Sequence, residues 1–500
     1  MAEIAANYAM CKHTGLFVSP ELEQTLIEIG TTAVSSPKNA PHTKRRHESA
    51  QHIVHVLTRA FSIGGDSRFA WRWIQQDLKR QHSVALTRQG ASPVPDMLNV
   101  AVKKTGGQIH VLNQRRGTIL DWAAVLREIS SSADAVILHT HPYDIIPVLA
   151  FANKMHTPPT VYVNHADHVF WVGAGVTDIL ANLRYSGQDL AIRRRAIPIE
   201  RCAILPIILS SVQRTKDRVT AKHTLGLAPE SIILLTIARP HKYLPFRGQS
   251  FPEMLLPVLE AHPQVVLVAI GPGQDQAWAK AAQRTNGRVI AFEQRSDTAL
   301  FYEAADIYID SFPLTSITSL LEAGTYATPL VSRHPHAGAI SVLCADNPAL
   351  DATMLATSDL TEYLAFLERL ILDPDERARR GAATAAAITA MHYGSGWQES
   401  LEQLYAQTST ISCREGISGH VSRPCIEEVD VLLPLLFREE PDLWRIFQYH
   451  LRLLPLELRI KVWIHLVKDR YHPRPGLLLP EWLGASIEKW RSTWQMRSVQ

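Results

Sequence analysis

The chain has 500 residues, of which 46% are hydrophobic and 20% charged, and that length suffices for about two to four domain cores. Its 51 Lys and Arg against 48 Asp and Glu leave a net charge of +3, too even a balance to favour nucleic acid or an acidic membrane as the main partner. Five scattered cysteines (Cys11, Cys202, Cys344, Cys413 and Cys425) show no C-x-x-C spacing, which fits neither a disulfide framework nor a zinc knuckle and points to a reducing compartment.

The first residues, "MAEIAANYAMCKHTG", lack a basic segment followed by an apolar run, and no stretch reaches the ~18 apolar residues of a membrane span. The expected location is the cytoplasm, with a peripheral membrane contact left open. Residues 1–50 hold one amphipathic pattern, "SPELEQTLIEIG" (19–30), and a polar stretch of linker composition, and are expected as an N-terminal extension. Apolar runs then alternate with helical patterns: "HIVHVLT" (52–58), "HSVALT" (82–87), "QIHVL" (108–112), "AVILH" (135–139), "TVYVNH" (160–165) and "RCAILP" (201–206). Strands regularly separated by helices predict a parallel sheet covered on both faces, in a first domain over 51–212.

The polar segment "SSVQRTKDRVTAKHTLG" (210–226) interrupts the pattern, and a second series begins. It runs through "SIILLTIA" (231–238), "QVVLVAIG" (264–271), "RVIAF" (288–292), "DIYID" (306–310) and "PLVS" (329–332), with helices expected at 251–261, 275–285, 316–326, 359–372 and 375–390. This predicts a second α/β domain over 213–410. Two such units place a ligand cleft between them, faced by the carboxyl ends of both sheets. Residues 411–500 are apolar at helical spacing and Trp-rich. They are expected as a helical appendage that packs on the body or a second subunit, with a membrane-surface helix as the alternative.

Chemistry-bearing residues collect at predicted strand ends. In "DSFPLTSITSLLEAG" (310–324) a helix begins near Ser316 or Ile317, so Thr318 and Ser319 lie in its first turn. There unpaired N–H groups and the positive end of the helix dipole suit a phosphate. Glu322, at i+4 from Thr318, suits a neutral hydroxyl such as a ribose diol; a helix cap with a surface Glu is the alternative. "IARPHKYLPF" (237–246) puts Arg239 and Lys242 where they could neutralise a pyrophosphate leaving group, or stand as exposed loop charges. Gly64-Gly65 after the first strand lets backbone approach a bound group, without the spacing of a dinucleotide fingerprint, and no P-loop motif occurs. His139, His141 and Asp144 in "HTHPYD", and His165, Asp167 and His168 in "NHADHVFWVG", suit acid–base or hydroxyl contacts better than a metal, with core or capping histidines as the alternative for His139 and His168. Phe170 and Trp171 offer a platform for a sugar ring, or pack.

These residues resemble the GT-B glycosyltransferases, in which two Rossmann-like domains face each other across a nucleotide-sugar cleft. "DSFPLTSITSLLEAGTYATPLVS" (310–332) is similar to a segment of the O-linked N-acetylglucosamine transferases and their bacterial relatives. By that resemblance Thr318 and Ser319 bind phosphate, Glu322 the ribose and Lys242 the diphosphate. Gly64-Gly65, His165, Arg239, Lys242 and Glu322 also match, in order, the elements of the bacterial family-four type. Two positions depart: Leu314 stands eight residues before Glu322 where that type has a first Glu, and Ile317 replaces a histidine common in the first group. The resemblance further implies a nucleotide base near "FEQR" (292–295) with Arg295, and Gly271-Pro272-Gly273 along the cleft. It implies a hexosyltransferase using a nucleotide-diphosphate sugar, UDP-linked, with no obligatory cofactor or metal, and an acceptor hydroxyl on a glycan, lipid or protein. A GT-B epimerase or phosphorylase, and a non-catalytic subunit of a glycosylation complex, are the other readings.

Overall fold

The computed structural model describes residues 1–37, 50–335, 346, 348–411, 427–436 and 442–488. They form two compact units: Met1–Leu183 with Gly187–Leu205 and Ser400–Gln500, and Arg184–Ser186 with Pro206–Glu399.

The first unit is built on β1 (His52–Leu57), β2 (Gln81–Leu86), β3 (Ile109–Val111), β4 (Ala135–His139), β5 (Thr160–Asn164), β6 (Ile179–Asn182) and β7 (Cys202–Ile204). Among the described residues these make one parallel sheet in the order β3-β2-β1-β4-β5-β6-β7. Every residue of β4 and β5 is buried, as expected for strands covered on both faces, whose side chains alternate between two cores. Val54, Val56, Val136 and Leu138 pack with Trp122, Leu126 and Leu149. Leu57, Val84 and Leu86 pack with Ala70, Trp71, Ile74 and Leu98.

The amino-terminal residues, read from sequence as an extension, are part of this unit's core. Helices Ala2–Cys11 and Pro20–Ala33 contribute Ala6 and Leu26 to the larger cluster. The buried guanidinium of Arg127 donates to the carbonyls of Gly30 (2.8 Å) and Val34 (2.6 Å) at the end of the second helix. It also donates to Leu149 (3.0 Å) and Ala150 (2.7 Å), so one side chain satisfies orphan carbonyls of two helix ends. Ile4 packs with Ile446, Leu451, Leu454 and Leu466 of the carboxy-terminal helices. Arg88 and His450 both meet buried Glu3, at 2.9 and 3.0 Å.

The second unit carries β8 (Ile232–Ile237), β9 (Val265–Gly271), β10 (Val289–Glu293), β11 (Ile307–Ile309), β12 (Leu330–Arg333) and β13 (Leu355–Thr357). They are parallel in the order β10-β9-β8-β11-β12-β13, the doubly wound order of a Rossmann-like sheet. Helices Phe251–Ala261, Gln276–Arg284, Ile317–Thr325, Leu360–Leu372 and Pro374–His392 fall where the periodicity predicts them. Strands β6 and β13 were not expected; each is a short edge-side run without an apolar stretch long enough to stand out. In both sheets the strand order reverses beside the first strand, between β1 and β4 and between β8 and β11. Ligands of such sheets bind at the carboxyl ends there.

Candidate functional site

In the second unit, Arg239 and Lys242 lie in the turn directly after β8, and the loop after β11 leads into helix Ile317–Thr325. The expected cations and the expected helix start therefore flank one switch point. Asp310, at the end of β11, organises that loop. Its buried carboxylate accepts from the N–H of Ser311 (2.8 Å) and Ser316 (2.9 Å) and from the Ser332 hydroxyl (3.3 Å). Ser311 Oγ donates to the Leu314 carbonyl at 2.6 Å, and Ser316 Oγ to Ser319 Oγ at 3.3 Å. Part of the Ser/Thr surplus thus builds the loop, and half-buried Thr318 and Ser319 lie in the first helical turn.

Lys242 Nζ donates to the Thr315 carbonyl at 2.5 Å, which ties the cation to the loop before the helix. Burial pulls the Lys242 ammonium down to about 8; Asp310 opposes the shift, while Arg239 and Arg184 add to it. Burial likewise pushes the Asp310 carboxyl up to about 6, against its N–H donors and Lys242. Three cations share this region against two carboxylates, Asp310 and Asp346, which leaves an excess of positive charge. Arg184 is the member that sequence reasoning missed. It follows β6, is buried, and pairs with Asp346 at 3.5 Å. The neighbouring His241 is held down to about 4 by burial and by the charges of Lys242 and Arg239, so it adds no charge at neutral pH.

Glu322 lies one turn into the helix with the Tyr302 hydroxyl 3.5 Å from its Oε2. Gly271, at φ 114°, ends β9 so close to β8 that an added Cβ would fall 1.7 Å from the Ala238 carbonyl oxygen. A glycine is required there by packing alone. Arg295 lies over the rings of Phe292 and Phe301 and donates through Nε to Asp297 at 2.7 Å.

In the first unit, Gly64 takes φ 158°, ψ 142°, a conformation side chains rarely adopt, and caps helix Gly65–Gln76. The glycine pair therefore turns the chain out of β1 into that helix. His139 ends β4 and His165 follows β5, and His139 Nδ1 lies 3.2 Å from His165 Nε2. His165 Nδ1 faces Asp66 Oδ1 at 3.5 Å. Burial lowers the His165 imidazolium below its ordinary range, against the opposing charges of Asp66 and Asp167. Asp167 is buried; its Oδ1 meets His168 Nδ1 at 3.1 Å, and its backbone carbonyl accepts from Arg195 at 2.9 Å. His141 Nδ1 lies 2.8 Å from the Tyr143 hydroxyl, and Asp144 accepts from Thr58 (2.7 Å) and Thr87 (2.5 Å). Phe170 and Trp171 are buried, with Trp171 stacked on Tyr162 at 4.2 Å, so they pack and offer no sugar platform. Among the described residues no three His, Cys, Asp or Glu side chains converge as metal ligands.

No protein-family model and no curated protein matches this sequence. Solved structures do resemble it. HepE of Anabaena, solved in complex with UDP and glucose, is 14% identical over 70% of this chain and 99% of its own, with a TM-score of 0.52. A mutant O-GlcNAc transferase of Thermobaculum terrenum is 15% identical over 81% and 77%, TM-score 0.51. A glycosyltransferase from Rickettsia africae is 11% identical over 72% and 100%, TM-score 0.55. The two parallel-sheet units and these likenesses define the fold as that of the GT-B glycosyltransferases.

Proposed function

We propose that the protein transfers a hexosyl group from a nucleotide-diphosphate sugar, UDP-linked, to an acceptor hydroxyl. The observation that carries this reading is the convergence of Lys242, Arg239 and Arg184 beside the start of helix Ile317–Thr325 at the switch point of the second sheet. A diphosphate leaving group gathers negative charge as its bond to the sugar breaks. Fixed cations and helix N–H groups placed before that moment stabilise the charge without reorganising. The UDP bound to HepE supports the choice of nucleotide.

In this reading Lys242 and Arg239 neutralise the diphosphate, Thr318 and Ser319 bind it through amide and hydroxyl groups, and Glu322 takes the ribose hydroxyls. The base lies toward Phe292–Arg295, and Gly271 keeps the β9 end low enough for a ligand to approach. In the first unit, Gly64 and Gly65 expose backbone to a bound group, while His165 and Asp167 serve the acceptor hydroxyl. No metal is assigned a role.

Titration with UDP and UDP-sugars, followed by assay for transfer to a glycan, lipid or protein acceptor, tests the proposal. Binding that Lys242→Ala weakens supports it. Wild-type binding and turnover in that variant would overturn the site, and absence of binding to any nucleotide sugar would favour a non-catalytic role.

A further inference from the structure

Four imidazoles in the first unit form one hydrogen-bonded line. His82 Nε2 lies 2.9 Å from the Asp77 backbone carbonyl and 3.2 Å from Asp77 Oδ2. His82 Nδ1 lies 3.0 Å from His55 Nε2, and His55 Nδ1 lies 3.0 Å from His139 Nε2. His139 Nδ1 then reaches His165 Nε2 at 3.2 Å, and His165 Nδ1 ends the line 3.5 Å from Asp66 Oδ1. His55, His82 and His139 are buried within the sheet, whereas the Asp66 side chain is 49% exposed. The rings come from β1, β2, β4 and the turn after β5, so the parallel strand order places them side by side.

The tautomers follow from the ends. A backbone carbonyl only accepts, so His82 Nε2 carries a proton. In a neutral ring Nδ1 is then the acceptor, and it requires a proton on His55 Nε2. The same step repeats through His139 and His165, which leaves His165 Nδ1 unprotonated. Both ends of the line are acceptors, so four neutral rings supply one proton fewer than the gaps require. The gap left without a proton is the longest one, between His165 and Asp66.

We infer that His82, His55 and His139 act as positioning residues that lock His165 with its basic Nδ1 outward and let the line hold one additional proton between Asp77 and Asp66. Resting on the glycosyl-transfer reading, that proton is the one lost by the acceptor hydroxyl. The O–H bond breaks and the N–H bond forms at His165 Nδ1. The oxygen keeps the electron pair, bonds to the anomeric carbon, and the diphosphate departs with the pair of the broken C–O bond. The proton completes the line and leaves through half-exposed Asp66 to water.

The surroundings suit a neutral resting line. Burial holds the imidazolium forms of His55 and His139 well below their ordinary range, with neighbouring histidines adding to the effect. Burial opposes ionisation of Asp77, but His82 and Arg80 outweigh it and keep it a carboxylate. Arg80 (2.9 Å) and the Tyr405 hydroxyl (3.1 Å) donate to Asp77, and His52 lies near His82. Asp66 and Asp167 face His165, and Asp66 also acts on His141. Edges of Trp73 and Phe69 cover the rings of His55 and His165.

Nitrogen-15 NMR of histidine-labelled full-length protein tests the line without any substrate. The expected result is a proton on Nε2 and none on Nδ1 in all four rings at neutral pH. A ring of this line carrying its proton on Nδ1 would overturn the inference. In His55→Phe the anchor is cut, and His165 should convert in part to the Nδ1–H form. Its kcat should fall roughly 10²-fold, the scale of a lost general base, with UDP affinity unchanged. Retention of the Nε2–H form or of the wild-type kcat and its pH profile would refute the positioning role. If no sugar is transferred by the wild type, the catalytic reading fails, while the NMR result still decides the line itself.

Discussion

Lys242 provides a pH test of the donor site. Its ammonium is held down to about 8 by burial and by Arg239 and Arg184, so it titrates where an ordinary lysine would stay charged. By that value it is roughly 90% protonated at pH 7 and roughly 10% at pH 9. The terminal phosphate of UDP, with a second pKa near 6, is roughly 90% ionised at pH 7 and fully ionised at pH 9. Asp310, at about 6, is already ionised, and His241, at about 4, is neutral. Lys242 is therefore the group in this cluster that changes charge. If the diphosphate requires the ammonium, its dissociation constant should rise about tenfold from pH 7 to pH 9, ~1.4 kcal/mol. Binding should also take up ~0.9 proton at pH 9 and close to none at pH 7, where the ~0.1 gained by Lys242 is offset by ~0.1 released from UDP, seen by calorimetry in buffers of different ionisation enthalpy. Lys242→Arg, which stays charged, should bind with a flat profile over the same range. Equal affinity at both pH values, with no proton uptake, would refute the assignment.

Further outcomes follow from the same geometry. Lys242→Ala should lower kcat/KM by roughly 10²-fold in steady-state assays, the scale of one lost stabiliser of developing charge, while circular dichroism remains that of the wild type. Arg184→Ala should weaken UDP binding about tenfold in titration calorimetry, and an unchanged affinity would remove Arg184 from the site. Asp310 has a folded pKa above its unfolded value, so the folded state binds more protons between about 4 and 6 and stability declines as pH rises through that window. Asp310→Asn should flatten the decline in urea titrations and, by removing the carboxylate that supports Lys242, move the pH limb of UDP binding lower. Arg127→Met should cost about 3 kcal/mol in the same titrations, because helix-end carbonyls lose their shared donor.

The parallel sheets were legible because strands buried on both faces leave unbroken apolar runs, as in "SIILLTIA" and "AVILH". Lys242 and the Ser316 helix start were legible because strand-to-helix turns carry local signals in cap residues and fixed charges. Arg184 was not, since its place depends on β6, a strand too short to read. His55 and His82 were visible as polar residues inside apolar strands, yet their alignment with His139 and His165 depends on strand order, which a single sequence leaves open. The packing of the amino-terminal helices was not legible, because it rests on contacts distant in sequence, such as those of Ile4 with Leu451 and of the second helix end with Arg127.

The most direct measurement is a crystal structure of the protein grown with UDP. The account predicts the diphosphate within hydrogen-bonding reach of Lys242 Nζ and of the Thr318 and Ser319 amides, with ribose hydroxyls on Glu322. UDP bound elsewhere, or ordered crystals at saturating UDP with this site empty, would contradict it.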